Sequence, residues 1–172
     1  PSILEWEAFF PRNRTEHYGW VVEYDPATKT ARKHVSLGRF AHECATVKEL
    51  DDGRVVIYSG DDKNDGCLYK YISDQPGQIS PGRLFVADTK AGRWKLLSLS
   101  DNSLKLKFKD ETELKIRTRE AAVLVGGTPL DRPEDIEIDP LDGSVIVALT
   151  NNEPKGNYFG SMMKLRELSG YD

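Results

Sequence analysis

The sequence predicts a mainly β fold of antiparallel hairpins with one inserted α-helix at about residues 110–125. Three observations carry this. Short runs of β-branched, aromatic and aliphatic residues recur along the chain, bounded by Asp, Gly and Pro. Only one segment departs from that pattern toward a helical one. Pairs of hairpins return at a spacing of roughly 40 residues, the length of one four-stranded propeller blade.

The elements follow in order. Gly19–Tyr24 (GWVVEY) reads as a strand that stops at Asp25-Pro26, and Lys33–Leu37 completes its hairpin. Ala45–Leu50 and Arg54–Ser59 (RVVIYS) flank Asp51-Asp52-Gly53, a tight-turn signal. Cys67–Ile72 (CLYKYI) is the next strand. Arg83–Asp88 and Trp94–Leu99 flank Lys90-Ala91-Gly92. Asp135–Ile138 and Ser144–Thr150 flank Asp139 to Gly143, and Met162–Leu168 reads as a last strand. Asp110 to Val125 carries Leu114, Ile116, Ala121, Ala122 and Val125 among charges, with acidic residues at its start. Gly126-Gly127 and Pro129 end it, giving a helix of about four turns. Periodicity is compatible with an incomplete propeller and equally with a two-sheet sandwich carrying a helix on one face.

The chain has 172 residues, 38% of them apolar and 30% charged, the composition of an ordinary globular protein. That length fits one domain, 1–172. Its 24 basic and 28 acidic residues give a net charge of −4, which argues against nucleic acid as a partner. The longest apolar run is Ala121–Val125, far short of the roughly 18–20 residues of a membrane helix, so no transmembrane segment is expected. Cys44 and Cys67 are too few for a disulfide-rich scaffold or a four-cysteine zinc site, and the count allows one disulfide between them. The chain begins Pro-Ser-Ile-Leu, with neither Met nor a signal-like segment, so a processed chain or a piece of a longer protein is expected.

Four polar clusters lie at strand ends: Arg39 to Glu43, Gly60 to Asp65, Asp131 to Asp135 and Asn151 to Glu153. Asp61 and Asp62 follow an apolar strand directly. Paired carboxylates suit hard cations such as Ca²⁺, and they also suit a solvated acidic turn. In Arg132-Pro133-Glu134-Asp135, the guanidinium would bind a phosphate oxyanion while Glu134 holds a metal. The alternative is a loop entering a strand, with a surface ion pair of little value. His42 and Glu43 each read as a metal ligand, with a hydrogen-bonded structural histidine as the alternative for His42. Cys44 reads as a thiolate ligand, a disulfide partner or a small buried apolar residue. His17 and His34 have no acidic or cysteine neighbour at ligand spacing. The nucleotide-binding patterns GxGxxG and GxxxxGK[ST] and the nucleophile elbow GxSxG are absent.

Several strings then resemble one family. They are Tyr18-Gly19-Trp20-Val21-Val22-Glu23 with Asp25-Pro26, Leu37 to Glu43 (LGRFAHE), Asp52 to Asp62 (DGRVVIYSGDD), Leu68-Tyr69-Lys70-Tyr71, and Gly82 to Ala87 (GRLFVA). Further along come Ile116-Arg117-Thr118-Arg119 with Ala121-Ala122, Thr128 to Ile136 (TPLDRPEDI), and Ala148 to Asn152 (ALTNN). Together they resemble the PhoX-type alkaline phosphatases, a family of exported bacterial proteins, in order from about residue 18 to 152.

The resemblance implies a β-propeller that hydrolyses phosphate monoesters at a cluster of iron and calcium ions. Carried over by position, Glu43, Asp62 and Glu134 are implied metal ligands and Arg132 the phosphate-binding arginine. Asp61 is a weaker candidate that orients a ligand from behind. The implied cofactors are Ca²⁺ and Fe³⁺, and the implied substrate is a phosphate ester. The implied location is periplasmic or secreted, reached by twin-arginine export. The family's iron-binding cysteine and further lysine and acidic residues lie upstream. Pro1–Thr15 shows no match to that half, and Cys44 does not inherit the cysteine's role. The isolated chain is therefore expected to lack a complete cluster and to be inactive. Open sheet edges would favour self-association. The alternative function is a catalytically inactive calcium-binding propeller module with a structural or interaction role.

Overall fold

The computed structural model describes residues 8–168 and 170–171. Strands β1 (Val21–Asp25) and β2 (Thr30–His34) form a two-stranded hairpin. A five-stranded antiparallel sheet follows, built from β3 (Thr46–Glu49), β4 (Val55–Gly60), β6 (Leu68–Ser73), β7 (Gly82–Asp88) and β8 (Arg93–Leu96) in that spatial order. A three-stranded sheet holds β10 (Pro133–Ile138), β11 (Val145–Leu149) and β12 (Ser161–Leu165). Two short strands, β5 (Asn64–Gly66) and β9 (Leu130–Asp131), pair with each other.

Side-chain alternation along the central strands builds two cores. On β4 and β6, Ile57, Tyr69 and Tyr71 face one side, with Leu84, Val86, Leu97, Leu104, Phe108 and Leu114. Val56, Tyr58, Leu68 and Ile72 face the other side, against Ile136, Val145 and Val147 of the three-stranded sheet. β6 is therefore buried along its whole length, which explains why CLYKYI reads as a nearly unbroken apolar run. Each fully buried Leu or Ile contributes about 1.5–3 kcal/mol relative to exposure. Helices thus cover one face of the five-stranded sheet and a second sheet covers the other, the stacking of adjacent propeller blades.

The helical region is more divided than its sequence suggests. Residues 110–125 are helical, but as α2 (Glu111–Ile116) and α3 (Thr118–Leu124), preceded by α1 (Asn102–Lys107). Asp101 caps α1 through the amides of Ser103 and Leu104, and Asp110 caps α2 through that of Glu113. The break falls at Arg117 (φ −106°, ψ 37°). There the Arg39 amide donates to the Lys115 carbonyl at 2.9 Å and to the Thr118 hydroxyl at 3.2 Å. Thr118 Oγ1 itself donates to the Lys115 carbonyl at 2.7 Å. A distant loop thus takes a carbonyl that a continuous helix would have used, and no sequence period reports it.

Other differences lie at element ends. The second strand of the first hairpin ends at His34, and Val35–Leu37 is a 3₁₀ turn. The strand expected over Trp94–Leu99 stops at Leu96, and the last strand spans Ser161–Leu165. Both cysteines are free, Cys67 in the core and Cys44 half-buried. No helix among the described residues is long and apolar enough to cross a membrane.

Candidate functional site

The site is built where β4 ends and β10 begins. Gly60 closes β4 against Pro133, and a Cβ at this glycine would stand 2.1 Å from the Pro133 carbonyl oxygen. Only glycine permits that approach. Two further contacts fix the loop that follows β4. The Asp62 amide donates to the Ala41 carbonyl at 3.0 Å, and β5 pairs Asn64 with Asp131 of β9. Residues 41–43, 60–65 and 130–134 are brought together in this way.

Arg132 stands at the centre. Its φ of +54° lies in the left-handed region, uncommon for a residue with a side chain. Pro133 follows it with a fixed φ, and the Thr150 amide holds the Arg132 carbonyl at 3.2 Å. The guanidinium forks onto Asp62, Nε to Oδ1 at 2.9 Å and Nη2 to Oδ2 at 3.1 Å. Nη2 also donates to Glu134 Oε1 at 2.8 Å, and Nη1 reaches Asn151 Oδ1 at 3.4 Å. The Asp62 hydrogen bonds first, then the charges of Asp62, Glu134 and Glu43, hold the guanidinium above its ordinary pKa. The structure thus gathers Glu43, Asp62, Glu134 and Arg132. With all three acids ionised, the group sums to 1 − 3 = −2.

Asp61 sits apart from this group. It is buried at 1% exposure and binds Arg119 in a fork, Nε to Oδ2 at 2.7 Å and Nη2 to Oδ1 at 2.6 Å. Its Oδ1 also accepts the Ala41 amide at 3.1 Å. It anchors the backbone that carries Glu43 and Asp62. His42 is likewise structural. Nε2 meets the Gly38 carbonyl at 3.0 Å and Nδ1 meets Ser59 Oγ at 2.8 Å. Burial pushes its pKa down, which favours the neutral ring. Cys44 Sγ lies 3.5 Å from the Glu134 carbonyl, and burial raises its pKa, so it is a poor thiolate.

Asn151 stands in the last of the four polar clusters, whereas Arg119 is not marked by the sequence as a site residue, although it lies in a string that carries the resemblance. Arg119 is 58 positions from Asp61, and nothing local announces such a pair. The side-chain amides of Asn157 and Asn152 donate to Asp131 at 2.9 and 2.8 Å and hold its carboxyl below the usual range.

The donor set suits hard cations. Three carboxylates offer oxygen donors and an excess of negative charge, the chemistry that hard cations prefer. Among the described residues, no three His, Cys, Asp or Glu side chains already stand together as a metal site. Asp62 and Glu134 are instead turned onto Arg132.

Stacked antiparallel sheets with an arginine–carboxylate cluster at their strand ends fit a propeller-type protein. The chain belongs to the PhoX alkaline phosphatase family, whose model, described as alkaline phosphatase PhoX, matches residues 4–170. A solved structure of PhoX from Pseudomonas fluorescens, in complex with vanadate, a transition state analogue, is similar to it. That likeness has a TM-score of 0.82 at 32% identity and covers 92% of this chain and 35% of that one. This chain therefore spans about a third of that relative's length. No curated protein matches it. The likeness supports the propeller reading over the sandwich, and the family match extends beyond residues 18–152 in both directions.

Proposed function

We propose that this chain supplies part of the active site of a metal-dependent phosphomonoesterase. One observation carries the reading: Arg132, in a left-handed backbone conformation, is forked between Asp62 and Glu134 within the field of Glu43. The relative of known structure holds vanadate, which supports an oxyanion as the ligand class. A planar guanidinium with paired donors matches two oxygens of a phosphoryl group.

Glu43, Asp62 and Glu134 would hold Ca²⁺ or Fe³⁺. When bound, such ions supply electrophilic polarisation of the phosphoryl oxygens. The protein's own groups do the rest. Arg132 grips the phosphate and neutralises charge on its equatorial oxygens. Asn151 orients its free edge. Asp61, through Arg119 and the Ala41 amide, keeps the loop before Asp62 in place. The substrate class, a phosphate ester, the periplasmic or secreted location and twin-arginine export rest on the family resemblance. Self-association is part of the same proposal, through β3, β8 and β12 at the ends of the two larger sheets.

Calorimetric titration with orthovanadate, in the presence of Ca²⁺ and Fe³⁺, tests the reading. Saturable binding should fall at least tenfold in Arg132→Ala, since charged hydrogen bonds contribute about 1.5–3 kcal/mol each. Equal binding by the variant would overturn the role of Arg132.

A further inference from the structure

A second constellation lies away from this cluster, where the β1–β2 hairpin meets the turn before β7. The hairpin register pairs Val21 with His34 and Glu23 with Arg32. Glu23, Arg32 and His34 therefore share one face. His34 is buried at 1% exposure. Its Nε2 lies 2.9 Å from Glu23 Oε2 and its Nδ1 lies 2.9 Å from Ser80 Oγ.

The tautomer follows from the partners. An ionised carboxylate only accepts, so Nε2 carries the proton toward Glu23. In the neutral ring, Nδ1 is then a lone pair facing the Ser80 hydroxyl. Ser36 Oγ stands 2.7 Å from Ser80 Oγ and Tyr71 Oη stands 3.0 Å from Ser36 Oγ. With the Ser80 proton committed to His34, Ser36 donates to Ser80. A hydroxyl, an imidazole base and a carboxylate that orients the base are the three parts of an activated serine. Geometry identifies such a set whatever its order in the chain.

Ser80 is half-buried and opens on a groove of about 450 Å³ lined by Arg32, Lys33, Val35, Ser36, Ser80 and Pro81. Arg32 is exposed; burial raises the pKa of the nearby Tyr71 hydroxyl, with the Ser36 and Ser80 hydroxyls lowering it, Asp74 raising it and Arg32 lowering it by smaller effects. Lys33 points to the other face of the hairpin, where its amine meets the His17 carbonyl and the Tyr18 ring, so Arg32 is the cation on the Ser80 side, and it favours substrates, and developing charge, that are anionic.

The geometry points to Ser80, His34 and Glu23 as a second, acyl-transfer site that takes small anionic carboxylic esters. Ser80 Oγ forms a bond to the ester carbonyl carbon while its proton passes to His34 Nδ1. The oxyanion of the tetrahedral intermediate faces Arg32. The bond to the alcohol oxygen then breaks, and the departing alcohol takes the proton from His34. Water attacks the acyl-serine, His34 takes its proton and returns it to Ser80, and a carboxylic acid leaves.

The test uses the intact chain, a fluorophosphonate probe with peptide mass mapping, and hydrolysis of p-nitrophenyl succinate. The site predicts one adduct at Ser80, absent in Ser80→Ala and slowed at least tenfold in Glu23→Gln. Ester hydrolysis should fall in parallel. Glu23 is half exposed, so Glu23→Gln keeps the fold, checked by its urea midpoint. A folded wild-type chain without a Ser80 adduct would overturn the site, leaving the network as a hairpin clamp. Labelling undiminished in Glu23→Gln, or hydrolysis undiminished in Ser80→Ala, would do the same.

Discussion

Arg132 and Asp62, 70 positions apart in sequence, meet through two parallel hydrogen bonds of 2.9 and 3.1 Å. The contact joins the end of β4 to the start of β10, so the five-stranded and three-stranded sheets share a polar seam as well as a core. Under the proposed function, Arg132 and Asp62 hold each other in place where an anion and a cation would bind.

The seam depends on Gly60. A methyl group there collides with the Pro133 carbonyl, and the strands must part to admit it. Gly60→Ala should lower stability by about 1–3 kcal/mol in urea unfolding. Vanadate binding should weaken as well, because Asp62 and Arg132 move with the two strands. Unchanged stability would show that the approach is not tight.

Arg119 neutralises a carboxylate that water barely reaches. Arg119→Ala leaves the Asp61 charge with a backbone amide as its remaining hydrogen-bond donor. Breaking a buried pair costs about 3–5 kcal/mol, and the partial exposure of Arg119 puts this one near the lower end, about 3 kcal/mol. The urea midpoint measures it.

Lys115 gives a pH signature. Burial, partly offset by Glu111, lowers its pKa from 10.5 to about 8. Between about pH 8 and 10.5, the unfolded chain binds a proton that the folded chain has released, so this group makes stability rise with pH. Below about pH 8 the cost of the buried charge is fully present. The stability of Lys115→Met minus that of wild type should be largest near neutrality and shrink toward pH 10. Cys67 and the buried phenols titrate in both proteins and cancel in that difference. A flat difference would contradict the assignment.

Glu167 ties the end of β12 to the five-stranded sheet. Its Oε1 accepts from the Tyr58 hydroxyl and the Trp94 indole, both at 2.9 Å, and its Oε2 accepts from buried Lys70 at 3.3 Å. Glu167→Ala should cost about 2–4 kcal/mol and shift Trp94 fluorescence. An unchanged unfolding midpoint would contradict it.

The strands were legible because their patterns are local. RVVIYS and CLYKYI sit between turn residues and are buried on both faces, so composition alone marks them. The helix break at Arg117 was not legible, because the amide that causes it belongs to Arg39. The candidate acids Glu43, Asp62 and Glu134 could be named from family strings, whereas their meeting at Arg132 depends on β5 pairing with β9. Those strands are three and two residues long, too short for any period to show. His34 has no partner at short spacing for a related reason: Glu23 reaches it across a hairpin and Ser80 from the turn before β7.

The most direct test of the phosphatase reading is the metal content of the purified chain by elemental mass spectrometry, beside the Asp62→Ala, Glu134→Ala double variant. The account predicts stoichiometric calcium or iron in the chain after loading and dialysis, lost in the variant. Equal metal in both proteins, or none in either, would contradict the assignment of these carboxylates as its ligands.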